Sequence, residues 1–239
     1  MRRFSAAIAN IFLLTAIVPM GLAGQVAAPS HLSRPHEPAP NLGALKAKLI
    51  AYHDCTAPSI GCYITDVDRQ SNVAFAYLQR RMAHVGTDAK LAVVFDIDET
   101  ALSNWDQEKD HDFGYVAKDW DGWIDSRRAP AIAGTLRVYQ EAMRRGASVF
   151  FITGRPESQR EATADNLRNS GYAKWQGLAL RGSHPKGQSV TEYKSGERRK
   201  ILDAGYRIVL NVGDQISDLN GPAQAEKSVK LPNPFYFIP

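Results

Sequence analysis

Between residues 91 and 214 the chain alternates short apolar runs with amphipathic stretches, a rhythm that few folds can use. The runs are "LAVVFDID", "ASVFFITGR", "WQGLALRG" and "RIVLNVGD". Strands that are apolar on both faces belong inside a sheet, and helical connections between them make that sheet parallel and cover both its faces. The helical stretches are "APAIAGTLRVYQEAMRRG", closed by Gly146, "PESQREATADNLRNSG", with Pro156 in its first turn and Gly171 past its end, and "EYKSGERRKILDAG". Upstream, "LGALKAKLIAYH" reads as one helix. "VDRQSNVAFAYLQRRMA" reads as a second, with Val67, Val73, Ala74, Tyr77, Leu78 and Met82 on one face. The expected fold class is α/β, a doubly wound parallel sheet with a small, mainly helical lid.

The first residues do not belong to that fold. "MRRFSAAIANIFLLTAIVPMGLAG" has two arginines, an apolar stretch broken by Pro19, and small residues at its end, which is the pattern of a signal peptide over 1–24. An uncleaved anchor is the competing reading, but Pro19 and Gly21 close the apolar run too early for comfortable spanning. Arg2-Arg3 raises a twin-arginine route that the following residues fit poorly. No cysteine follows the run, so no stable membrane anchor by lipid is expected. Removing 1–24 takes away two arginines and no acid, so the formal charge falls from +4 to +2. No Lys/Arg run remains, which excludes a nucleic acid polymer as partner.

Residues 25–41 hold four prolines and read as a flexible leader. The domain proper is expected over 42–239, with the lid drawn from 42–86 and 101–128. Cys55 and Cys62 flank a loop with Pro58 and Gly61. Outside the cytoplasm such a pair oxidises, and the alternative, a metal pair, lacks a second CxxC or a histidine cluster. A disulfide is the reading adopted.

In a sheet of this kind ligands bind beyond the carboxyl ends of the strands. The runs therefore aim Asp96, Asp98 and Glu99, then Thr153, Gly154 and Arg155, then Asp214 and Asp218, at one place. The helix with "EYKSGERRK" can bring Lys194 to the same rim. Singly, an acidic strand end is often a helix cap and a lysine is usually solvated. Together, four aspartates repel one another unless a cation joins them, and oxygen ligands without His or Cys suit Mg²⁺. A carboxylate can also attack phosphorus, with a lysine, a hydroxyl and backbone N–H groups holding the other oxygens. Crowding raises the proton affinity of one acid, which suits a general acid at mildly low pH.

"DIDET", "FFITGR", the lysine of "YKSGERR" and "GDQISD" resemble the four motifs of the haloacid dehalogenase (HAD) superfamily. "FDIDETALSN", "DWDGWIDSRRAPAIAGTLRVY", "VFFITGR" and "KLPNPFY" are similar to its acid phosphatase branch, with bacterial class C acid phosphatases and plant vegetative storage proteins. The resemblance covers roughly residues 45 to 239. It implies a HAD-like Rossmannoid fold and an acid phosphatase working through an aspartyl-phosphate. Asp96 would be the nucleophile, and Asp98 the acid that protonates the leaving alkoxide and then activates water. Thr153, Gly154, Lys194 and Asn104 would bind substrate phosphate. Mg²⁺ would sit on Asp96, the backbone carbonyl of Asp98, and Asp214, with Asp218 supporting the metal. Glu99 is left outside the site as a turn cap.

No large domain is inserted between these motifs, so an open lid would admit varied monoesters. Trp105, Tyr115, Trp120, Trp123 and Tyr236 either stack on an aromatic leaving group or pack the lid against the core. Arg155 either reaches substrate or forms a buried salt bridge. Two other readings stay open: a secreted storage or binding protein of the same fold with little activity, and a narrower nucleotidase or phosphotransferase. The expected location is periplasmic or secreted. The natural substrate and the oligomeric state are not legible.

Overall fold

The computed structural model describes residues 39–55, 61–83, 90–182 and 187–238. The expected signal peptide and nearly all of the leader lie outside the described residues. From Pro40 onward the chain forms one compact unit.

Its centre is a five-stranded sheet of β1 (Leu91–Phe95), β2 (Ser148–Pro156), β3 (Gly177–Arg181), β4 (Arg207–Gly213) and β5 (Ser228–Lys230). The order is β3-β2-β1-β4-β5, and every pairing is parallel. All of β1 is buried because both its faces are covered. Ala92 and Val94 pack with Ile208, Tyr193 and Ile201, whereas Val93 and Phe95 join Val149, Phe151 and Leu78 on the other side. The helices are α1 (Leu42–His53), α2 (Tyr63–Met82), α3 (Trp105–Asp110), α4 (Ala117–Ser126), α5 (Ala133–Arg144), α6 (Arg160–Asn169), α7 (Val190–Asp203) and α8 (Ile216–Leu219). Helix α7 covers one face of the sheet, and α2 and α5 cover the other. The winding reverses between β1 and β4, so a crevice opens beyond their carboxyl ends. Phe95 pairs with Val212 there, and the Asp96 N–H donates to the Val212 carbonyl at 3.0 Å.

The alternation of runs and helices places four strands as expected, while β5 leaves no signal in the sequence because three residues carry no periodicity. Pro156 closes β2 opposite Arg181 and does not open a helix; α6 begins at Arg160 after a single 3₁₀ turn at Glu157–Gln159. On α2, Val73 is 44% exposed and Ser71 is buried in its stead. Val67, Ser71, Ala74 and Leu78 follow the 3.6-residue stripe that faces the core, and Val73 lies off it. Asn41, assigned to the leader, caps α1 by accepting from the Ala44 N–H at 3.1 Å.

The lid expected from 42–86 needs correcting. Helix α2 is a layer of the core, and α1 with the start of α2 supports an aromatic cluster beneath α3, where His53 stacks on Trp105 at 3.7 Å. Cys55 and Cys62 are joined by a disulfide between these two helices. No helix among the described residues is long and apolar enough to cross a membrane.

Candidate active site

Asp96 follows β1, Asp214 follows β4, and Asp218 lies on α8; Gly213 makes this close approach possible. A Cβ at Gly213 would stand 2.4 Å from the Asp218 Cβ. Lys194 arrives from α7, whose start is fixed by a capping box between Ser189 and Glu192. Its Nζ donates to Asp96 Oδ1 and to Asp218 Oδ1, both at 2.5 Å. Asp96 Oδ2 makes no hydrogen bond with the described residues. All four side chains are buried. Arg198, one turn beyond Lys194 on α7, clamps the loop after α8 by donating to the carbonyls of Asp218, Asn220 and Ala223.

Asp98 faces the same crevice but belongs to a different network. Arg155 grips it through Nη2 at 2.7 Å and Nε at 3.1 Å, and the Arg155 Nη1 is anchored on Thr163 Oγ1. Asn104 Nδ2 donates to Asp98 at 2.9 Å, and the Asn104 Oδ1 accepts from Trp123 Nε1 at 2.8 Å. Burial pushes the Asp98 carboxyl up, but the Arg155 charge and hydrogen bonds outweigh it and hold Asp98 below the usual carboxylate range. The acid with raised proton affinity is therefore not Asp98. Burial, then the charge of Asp218, pushes Asp96 well up, against the pull of Lys194. The same two causes raise Asp214 to about 7, although Asn233 and Gln215 donate to its Oδ2 at 2.7 Å.

Of the substrate-binding candidates, Lys194 and Gly154 line the crevice, and Asn104 and Thr153 do not. Both of the latter are fully buried behind Asp98, with the Thr153 hydroxyl 3.4 Å from it. Glu99, left out of the site, is buried in a left-handed turn (φ 51) and accepts from the Asn104 N–H at 2.6 Å and the Tyr236 hydroxyl at 2.9 Å. Burial and then the Asp98 charge raise it to about 8. Glu99 thus caps the turn, as read, and also ties the C-terminal segment to the crevice. Of the two readings open for Arg155, the structure shows the buried salt bridge, made with Asp98; Gln215 and Asn233 had no assigned role. Only Arg155 carried a signal, its place inside "TGR".

The crevice opens into a cavity of about 430 Å³. Of the five aromatic candidates, Trp105 and Trp123 are packed inside, while Tyr115, Trp120 and Tyr236 line the cavity together with Phe237. A wider groove of about 660 Å³ between α6 and β3 contains none of the clustered acids, so the chemistry belongs to the smaller one.

Asp96, Asp214 and Asp218 each bring a carboxylate oxygen to within 4.8 Å of the others. Buried hard oxygens that repel one another in the absence of a cation fit a divalent metal. The carboxylate of Asp98 stays outside this trio, whereas Asp218, expected only in support, supplies part of it.

The family model for HAD superfamily subfamily IIIB (acid phosphatase) matches residues 48–239. The chain belongs to this family. It is a phosphomonoesterase by that membership. The acid phosphatase is 41% identical to Acid phosphatase 1 of Solanum lycopersicum, across 74% of the chain and 69% of the relative. It is 31% identical to Vegetative storage protein 1 of Arabidopsis thaliana, across 69% and 62%. Among solved structures it is similar to the class C acid phosphatase from Bacillus anthracis with tungstate bound, with a TM-score of 0.64 and 25% identity. That match covers 82% of the acid phosphatase and 86% of the neighbour.

Proposed function

We propose that the chain is an exported, Mg²⁺-dependent acid phosphatase that hydrolyses phosphomonoesters through an aspartyl-phosphate on Asp96. The observation that carries this reading is the pairing at Asp96: Lys194 fixes Oδ1, and Oδ2 is left without a partner among the described residues beside a cavity. Asp96 attacks phosphorus, the bond from phosphorus to the ester oxygen breaks, and Asp98, in the small fraction that carries a proton at mildly low pH, gives it to the departing alkoxide. Asp98 then takes a proton from water as that water attacks the aspartyl-phosphate, which releases inorganic phosphate and restores Asp96. Lys194 and the Gly154 backbone hold phosphoryl oxygens, and Asn104, Thr153 and Arg155 orient Asp98. A Mg²⁺ held by Asp96, Asp214 and Asp218 would offset phosphoryl charge. The tungstate in the Bacillus anthracis neighbour, a tetrahedral oxyanion, supports the phosphate assignment. The N-terminal pattern and the disulfide support export.

Hydrolysis of an aryl phosphate with Mg²⁺ tests the reading, and chelator should abolish it. Metal-free protein should also lose stability as pH rises from the ordinary carboxylate range toward about 8, because Glu99 and Asp214 hold protons more tightly folded than unfolded. Added Mg²⁺ should flatten that slope in a pH series of thermal melts. Full turnover in chelator would rule out the metal assignment.

Arg155→Met frees Asp98 from the cation that keeps it ionised, so its pKa rises. The alkaline limb of the kcat/KM profile should then move to higher pH for alkyl esters, whose poor leaving groups need the proton. An unmoved limb would remove Asp98 as the acid.

Storage is the second reading, favoured by the storage-protein relatives. A folded, metal-loaded chain that binds phosphate and never turns over would establish it.

A further inference from the structure

The cavity wall carries three polar side chains that are more than nine-tenths buried and leave hydrogen-bonding capacity unused. Glu108 is 8% exposed, and its carboxylate bonds to none of the described residues. The Gln107 amide, equally buried, makes no bond there either. Gln159 donates Nε2 to Asp121 at 2.7 Å, but its Oε1 is fully buried without a partner among the described residues. Nothing in the catalytic scheme uses them.

Glu108 is the most informative. It lies one helical turn beyond Asn104, whose amide holds Asp98 from behind, and Glu108 itself lines the cavity. A buried carboxylate without a counter-charge is costly, and here burial, then the charge of Asp98, raises it to about 7, opposed only by His111. Two of the three cations on the wall are paired with acids. Lys194 is on Asp96 and Asp218 and Arg155 on Asp98, whereas Arg181 bonds the Gln188 carbonyl and lies over the Tyr193 ring, its buried Nε without a partner among the described residues. Six acids and three bases line the cavity, an excess of acid that a bound Mg²⁺ would reduce but not cancel, so a leaving group with further negative charge is disfavoured. The same wall presents aromatic rings: Phe113, whose N–H bonds the Glu108 carbonyl at 2.8 Å, and the Tyr115–Trp120 pair, 6.1 Å apart. A carboxylate and aromatic rings lining one cavity form the combination that attracts an ammonium.

We propose that the leaving-group end of the cavity recognises a cationic alcohol, so that preferred substrates are phosphomonoesters of amino alcohols whose ammonium pairs with Glu108. This rests on the phosphomonoesterase reading of Asp96, with Glu108 as a residue that sets specificity.

The test compares kcat/KM for phosphoethanolamine with that for propyl phosphate, near neutral pH, using the Mg²⁺-loaded chain and an aryl phosphate as control. The expected preference for the ammonium ester is roughly tenfold, and Glu108→Gln should bring the ratio close to one. A wild-type ratio near one, or a preference that Glu108→Gln leaves in place, overturns the proposal. Calorimetric binding of aminoethylphosphonate against propylphosphonate to the wild-type chain reads the same pocket without turnover. Tighter binding of the amine supports the proposal even if the control ester is not hydrolysed, a result that would count against Asp96 alone. Equal binding of the two overturns it whatever the activity.

Discussion

Asp96→Asn lowers kcat on an aryl phosphate by on the order of 10⁴-fold or more, because an amide cannot form the acyl-phosphate. The variant should not be less stable. Asp96 is buried 2.5 Å from Lys194, and its proton affinity is raised by burial and by Asp218. Replacing it removes one charge from a crowded set and leaves Lys194 paired with Asp218. Metal-free Asp96→Asn should therefore melt at or above the wild-type temperature. Loss of both activity and fold would show a scaffolding role. Retained activity would dismiss Asp96 as nucleophile.

Lys194→Met has the opposite signature, damaging stability as well as catalysis. Burial alone would lower the proton affinity of the Lys194 ammonium, but Asp96 and Asp218 overcome that and push it up. Removing it leaves two buried carboxylates, Asp96 and Asp218, without their cation, which costs roughly 3–5 kcal/mol near neutral pH. The loss should shrink in mild acid, where the acids take up protons, and Mg²⁺ should recover part of it. Denaturant midpoints at both pH values, with and without Mg²⁺, check this. Turnover should fall by on the order of 10²–10³-fold, the scale of one lost oxyanion donor. Equal midpoints for variant and wild type near neutral pH would show that Lys194 does not hold the acids together.

The parts of this arrangement that the sequence disclosed are those written locally. Continuous apolar runs and helical stretches reported the parallel sheet, and a fixed topology then brought Asp96, Asp214, Asp218 and Lys194 to one crevice. Side-chain partnerships between distant segments left no such trace. Tyr236 meets Glu99 across 137 positions, and Asn233 meets Asp214 through a loop with no periodicity. Asn104 looked like a phosphate contact because it follows the acidic turn, yet its amide is spent on Asp98, Glu99 and Trp123. The proposed general acid shows the same limit. Spacing placed Asp98 among acids, but only the folded structure shows that Arg155 answers its charge.

The central claim, covalent catalysis on Asp96, is tested most directly by acid-quenching the wild-type chain during turnover and weighing its peptides. The account predicts one added phosphoryl group on the peptide containing Asp96, removed by hydroxylamine and absent from Asp96→Asn. Rapid turnover with no phosphorylated peptide at any quench time, or with the label on a different residue, would contradict it.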